Sequence, residues 1–347
     1  MLFRDLLGQE RVLGFLKQAL AGRRLPHALL FLGPEGVGKA STALALAQAL
    51  NCLEPQADQD ACGHCRSCRL FAAGNHPDFW LISPQGEAVN PQIKIEQIRE
   101  LRRQTGYAPF SGTWRVVVLK PAQAMNEAAA NALLKTLEEP PANNLLILTA
   151  IGERDLLPTI VSRCRRLTFN ALPLAVVARQ LQERRGLSEA AATLVAAVHG
   201  GSLGPALAED HAALLAARDE VSRSLHLLEQ GGMTAVLQWA ADNSKKGVNL
   251  ERFLLLAQLW YRDLLALAYQ APAAQMINQD RLVDLRRQQQ HLSTGLILHR
   301  LQTLQTLAQQ LRTNVNVELA LNAFACQWRQ AGASAALPGP GGRSRTF

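Results

Sequence analysis

The sequence predicts an α/β domain built on a parallel sheet, followed by a second half made only of helices. Two observations carry this expectation. Through the first 170 residues short apolar runs alternate with segments of helical period, and beyond Leu172 the strand-like runs stop. A third observation is a glycine-rich turn at 33–40, reading GPEGVGKA, between an apolar run and an Ala/Leu-rich helical stretch.

Taken in order, the runs at 28–32, 78–83, 115–119, 145–149 and 166–169 read as strands. Helices are expected at 38–51, 91–105 and 126–137, the last stopped by Glu138, Glu139 and two prolines. Past Leu172 the segments 174–183 and 188–198 have helical period, and Gly200, Gly201 and Gly204 break the second of them. From 211 to 330 the chain is amphipathic helix, with Leu254, Leu255, Leu256, Leu259, Leu264 and Leu265 at three- and four-residue intervals. Trp239, Trp260, Tyr261 and Trp328 fall among these leucines and read as core or subunit contacts, not as base-stacking groups. A Gly/Pro/Ser/Arg tail at 331–347 has too little apolar surface to fold.

The length of 347 residues leaves room for two or three domains, and 48% apolar with 18% charged residues is a globular balance. A net charge of +8 would help near nucleic acid, but it is common in proteins that never meet it. No N-terminal segment joins a basic start to an apolar core, and no run is long enough to span a membrane, so a cytoplasmic protein with no membrane partner is expected.

The turn at 33–40 begins a phosphate-binding loop. Gly33, Gly36 and Gly38 allow backbone N–H groups and a helix N-terminus to face phosphate oxygens, and Lys39 supplies the positive charge. The rest of the site is missing. Ala40 stands where a Ser or Thr would hold Mg²⁺, and Ser41 is turned away by roughly 100° on a helix. The strand at 116–119 is followed by Lys120 and Pro121, where an ATPase needs acids for metal and water. No Mg²⁺ site is expected. The chain should bind a nucleotide weakly or not at all, and should not hydrolyse it.

Cys62, Cys65 and Cys68 form a CxxCxxC run, with Cys52 upstream at the expected end of the helix that starts at the turn. In a reducing compartment this spacing argues for a metal over disulfides. Four thiolates close a tetrahedral Zn²⁺ site with no open position, which is a structural site. An iron–sulfur cluster is the rival metal, although the nearby Cys-Pro of bacterial ferredoxins is absent, and free surface thiols are the plain alternative. His64 and His76 lie near enough in sequence to replace one thiol.

Several segments together resemble the clamp-loader branch of the AAA+ superfamily. They are GPEGVGK at 33–39, the four-cysteine insert at 52–68, IKIEQIREL at 93–101, NEAAANALLKTLEEPP at 126–141 and SRC at 162–164. The resemblance runs over about residues 1–330. It implies a RecA-like AAA+ domain with a parallel sheet at 1–170, a small helical lid domain at 171–209 and an all-α collar domain at 210–330 that joins five subunits into a ring. Arg163 then corresponds to the arginine finger that reaches a neighbouring subunit's ATP, with Ser162 and Cys164 positioning it. Gly204, in GSLGPAL at 201–207, stands where active members carry a sensor arginine.

The resemblance implies motor and clamp-opening subunits as partners, with primed DNA and a sliding clamp reached through the complex. An active motor ATPase is the alternative, and it lacks its acid. A zinc-dependent nucleic-acid binder is a third reading, but the insert mixes Arg66 and Arg69 with Asp58 and Asp60 and shows no basic stripe.

Overall fold

β1 (Ala28–Leu32) reads ALLFL and is buried at every position, because strands cover both its edges and helices cover both its faces. It lies in the computed structural model of the protein, which describes residues 1–86, 91–245, 249–313 and 315–335. The chain divides into two compact units. The first comprises Met1–Pro173 and Gly201–Pro205, and the second comprises Leu174–Gly200 and the chain from Ala206 onward.

In the first unit, α1 (Glu10–Ala21) precedes β1, and α2 (Lys39–Leu50) and α3 (Arg66–Ala72) come after it. Next come β2 (Phe79–Ile82), α4 (Ile95–Thr105), β3 (Arg115–Leu119), α5 (Glu127–Glu138), β4 (Asn144–Ala150), α6 (Pro158–Val161) and β5 (Arg165–Thr168). All strand pairs are parallel, in the order β2-β3-β4-β1-β5. Leu30 stands opposite Leu148 on one side and Arg166 on the other.

The two-residue period of the strands divides their side chains between two cores. Leu30, Leu32, Val117, Leu119, Leu146 and Leu148 pack with Ile98 and Leu101 of α4 and Leu133 and Leu137 of α5. Leu29, Phe31, Val116, Val118, Leu145 and Ile147 face the other way, onto Leu16 of α1, Leu46 of α2 and Phe71 of α3. Each such side chain contributes about 1.5–3 kcal/mol when fully buried. The edge strand β5 exposes Arg165 and Arg166, charges that discourage pairing with a further strand.

All five expected strands form. The helix expected at 91–105 starts later, at Ile95, because Oε1 of the Gln97 side chain accepts the Lys94 N–H at 2.9 Å and fixes the first turn there. α5 starts one residue after Asn126, whose side chain accepts the Ala129 N–H at 2.8 Å.

α7 (Leu174–Arg185) and α8 (Glu189–Val198) open the second unit and pack on each other, and the short α9 (Leu203–Ala208) lies where the chain passes from one unit to the other. The second unit continues with α10 (His211–Gln230), α11 (Met233–Asn243), α12 (Leu250–Ala268), α13 (Leu282–Gln289), α14 (Thr294–Leu311) and α15 (Val317–Ala335). Trp239, Trp260, Tyr261 and Trp328 are all buried there, and the Tyr261 and Trp328 rings meet edge to face at 5.2 Å. Beside them Glu229 accepts from Tyr261 Oη at 2.6 Å, from Gln288 Nε2 at 2.8 Å and from Arg300, so a carboxylate among aromatic rings is satisfied. Of the expected tail, 331–335 are the end of α15, and 336–347 lie outside the described residues.

Candidate functional site

The glycine loop leaves the C-terminal end of β1 and hands over to α2 at Gly38, as expected of a phosphate-binding turn. Its glycines are required by geometry. Gly36 has φ +74°, and a Cβ there would come within 2.2 Å of Pro205 Cδ; at Gly33, φ +143°, it would meet the Phe169 carbonyl oxygen at 2.2 Å.

Lys39 and carbonyl groups of the loop are engaged by the chain itself. Lys39 Nζ turns back onto the loop, donating to the Pro34 carbonyl at 2.6 Å and to that of Gly33. Ser202 Oγ donates to the Glu35 carbonyl at 2.7 Å, and the Gly204 N–H points at the Gly36 carbonyl at 3.4 Å. Residues 201–205 therefore lie as a strap on the loop, within the first unit. Burial holds the Lys39 ammonium below the usual lysine range; Glu35 opposes the fall and Lys120 adds to it. Lys120 thus brings a second positive charge to the place where an ATPase keeps its acids.

Arg163 lies elsewhere. It sits between α6 and β5, just before the N-terminal end of β5, whereas the glycine loop leaves the C-terminal end of β1. The two strands run parallel, with Leu29 opposite Arg165, so Arg163 and Lys39 lie at opposite ends of the sheet. Four residues of strand separate those ends by about 13 Å. The Arg163 side chain is held by Glu138 at 2.8 Å and by the Thr159 carbonyl at 3.1 Å. Ser162 Oγ donates to that same carbonyl at 3.1 Å. Cys164 is packed in the core, and burial pushes its thiol up to about 12, so it is an inert anchor for the segment.

The four cysteines converge on one point. Their sulfurs lie within 4.8 Å of one another, with Cys62–Cys68 at 3.8 Å and Cys52–Cys68 at 3.7 Å. A tetrahedron of metal–sulfur bonds of about 2.3 Å has edges of about 3.8 Å, which these separations match. Backbone N–H groups of Cys62 and Cys65 point at the sulfurs of Cys52 and Cys62, both at 3.3 Å, and favour thiolates. Burial pushes the Cys52 thiol up to about 12 and raises Cys68. At Cys65 burial acts in the same sense, but N–H groups of Cys68 and Leu53 and the neighbouring thiols overcome it and bring the value to about 6. A cation would be needed to ionise all four, and the cluster can hold a metal ion. His64 instead pairs with Glu54 at 3.1 Å, and His76 lies buried against Ser67 and the Phe71 ring.

Two functional features carry little or no signal in the sequence. The strap contact of Ser202 joins residues 167 apart, which no local pattern reveals. The pairing partner of Arg163 has a faint signal in Glu138, a carboxylate at the carbonyl end of a helix, where the dipole disfavours it.

Residues 8–173 match the family model described as DNA polymerase III, delta subunit. DNA polymerase III subunit delta' of Pseudomonas aeruginosa is 44% identical over 156 residues, covering 45% of this chain and 46% of that protein. The Bacillus subtilis subunit delta' is 37% identical over 176 residues, covering 50% and 52%. DNA polymerase III subunit tau of Escherichia coli is 35% identical over 225 residues, 63% of this chain and 34% of tau. The chain spans about half the length of the delta' relatives it matches. Over residues 8–173, the part that carries the parallel sheet, the chain is thus similar to the DNA polymerase III delta-subunit family.

Proposed function

We propose that this chain is a noncatalytic, delta'-type subunit of the DNA polymerase III clamp loader. In this reading it acts in the bacterial cytoplasm within a hetero-pentameric ring, beside motor subunits of the gamma/tau type and a clamp-opening delta subunit. Arg163 completes a neighbour's ATP site, and the assembly loads a sliding clamp on primed DNA. Its parts are an AAA+ domain at 1–170, a lid at 171–209 and a collar at 210–330, with Zn²⁺ held by Cys52, Cys62, Cys65 and Cys68 as a structural ion.

The observation that carries the reading is the separation of Arg163 from the chain's own loop by the length of the sheet. A guanidinium at that end has no route to its own phosphate site, so its catalytic value lies in another subunit. There it would stabilise the charge that develops on the transferring phosphoryl group. The loop agrees: Lys39 donates to backbone carbonyls, and the positions for a metal hydroxyl and an acid hold Ala40 and Lys120.

A motor role is the second reading, favoured by the tau relative and by the survival of Gly33, Gly36, Gly38 and Lys39. Turnover experiments separate the two. In a reconstituted loader with the other ATP sites silenced, Arg163→Ala is expected to lower ATP turnover at the facing site by about a thousandfold, while Lys39→Ala leaves it unchanged. Unchanged turnover in Arg163→Ala would sink the proposal. Hydrolysis by the purified chain that disappears in Lys39→Ala would establish the motor role instead.

A further inference from the structure

Glu138 is the last residue of α5, where the helix presents its carbonyl ends and a carboxylate is disfavoured. A residue that breaks a local rule calls for a compensating role, and the nearest charge is the Arg163 guanidinium, 2.8 Å away through Nη2. On the other side Nη1 donates to the Thr159 carbonyl at 3.1 Å. Arg163 is thereby gripped between the end of α5 and the backbone of α6.

The grip does little for folding. The two side chains are 37% and 49% exposed, and ion pairs this open to water add almost nothing to stability. Its effect is on the arginine's freedom. A long side chain that is already confined loses less entropy when it meets a ligand, and its charge arrives in one place. The guanidinium carries five N–H donors, and bonds to Glu138, Thr159 and, at 3.5 Å, Ser162 Oγ leave others for phosphate oxygens.

We infer that Glu138 is a positioning residue for Arg163: it holds the guanidinium at the end of the sheet opposite the chain's own glycine loop, ready for the nucleotide of the neighbouring subunit, and touches that nucleotide nowhere. This role rests on the reading of Arg163 as a finger acting in trans.

The test uses the reconstituted complex with the other ATP sites silenced, and compares Glu138→Ala, Glu138→Gln, Arg163→Ala and the double variant Glu138→Ala/Arg163→Ala. Glu138→Ala is expected to lower kcat about tenfold while KM for ATP stays within twofold, because misaiming a catalytic charge affects the transition state more than binding. Glu138→Gln keeps an acceptor oxygen at the same reach and should recover most of the loss. In the Arg163→Ala background Glu138→Ala should change nothing further, since it acts only through that arginine. Normal turnover in Glu138→Ala together with a collapse in Arg163→Ala overturns the positioning role and leaves the finger standing. Normal turnover in Arg163→Ala removes the finger and this role with it. Equal losses from Glu138→Ala with and without Arg163 mark a role unrelated to the arginine and overturn the inference. Size-exclusion profiles of the isosteric Glu138→Gln complex show whether assembly is intact, and turnover as low as in Glu138→Ala with KM raised in parallel also counts against it.

Discussion

Asp78 shows how much a single buried charge can organise. Its carboxylate is fully buried at the start of β2 and accepts the N–H groups of Phe110, Ser111 and Gly112 at 2.5, 2.7 and 2.8 Å, with the Arg115 guanidinium 3.7 Å away. Burial by itself would raise its pKa, but the three donors and Arg115 overcome burial and hold the group below the usual carboxylate range. Asp78→Asn offers those donors one oxygen in place of two and leaves Arg115 without its charge, which should cost about 3 kcal/mol at neutral pH. The depressed value sets the sign of the pH dependence. The stabilisation is complete above the unfolded carboxylate pKa of about 3.9 and is lost as pH falls through the lower folded value. Urea midpoints of wild type and variant should therefore differ by a constant amount from about pH 5 to 8 and converge in stronger acid. Equal midpoints at pH 7 contradict this account of the loop. Neither Asp78 nor Ser202 was legible in the sequence, because their partners lie 32 to 34 and 167 residues away. Lys39 and the four cysteines were legible because their chemistry demands fixed local spacing.

Among elements, the strands were the easiest to read. Strands covered on both faces must be apolar at successive positions, and β1, β3 and β4 are, so their limits lie within one residue of the expected ones. Helix starts depended on caps instead, and the first turn of α4 moved because Gln97 reaches back across it. The least legible element was the strap at 201–205, a glycine-rich segment with no period of its own, whose position is set by the loop it covers. That contact is testable through Gly36. Alanine there has to adopt φ +74° and place its Cβ 2.2 Å from Pro205 Cδ, so the loop or the strap must move. Gly36→Ala should cost about 1–3 kcal/mol. It should also raise amide exchange at Gly204, whose N–H faces the Gly36 carbonyl. Exchange at wild-type rates would show that the strap does not rest on the loop.

On the scale of the whole chain, the two units hold themselves together by different means. The first leans on its cysteine cluster: Asp60, next to Ala61 and Cys62, accepts the N–H groups of Phe3 and Arg4 at 3.0 and 3.2 Å, and Arg4 reaches the Cys62 carbonyl at 3.3 Å. The cysteine loop thereby ties down the start of the chain as well as the end of α2. The second unit has no group of metal-ligating side chains among the described residues and depends on leucines, on buried aromatics such as Trp239, Phe253, Trp260, Tyr261, Phe324 and Trp328, and on the satisfied Glu229. Metal removal should then act on one unit alone. A metal bound only by folded thiolates adds its binding free energy to folding, on the order of 10 kcal/mol for structural zinc sites, and that contribution is lost when it leaves. Thermal unfolding followed by tryptophan fluorescence in the presence of a strong chelator is expected to lower the melting transition reported by Trp80 and Trp114 of the first unit, and to leave the one reported by Trp239, Trp260 and Trp328 where it was. Single-tryptophan variants would separate the two signals, and one zinc per chain should leave with the shift. Cys68→Ser should reproduce it without chelator, because it removes one of the four sulfurs. If both signals move together, or neither moves while zinc is released, the cysteines do not support the first unit in the way their geometry implies.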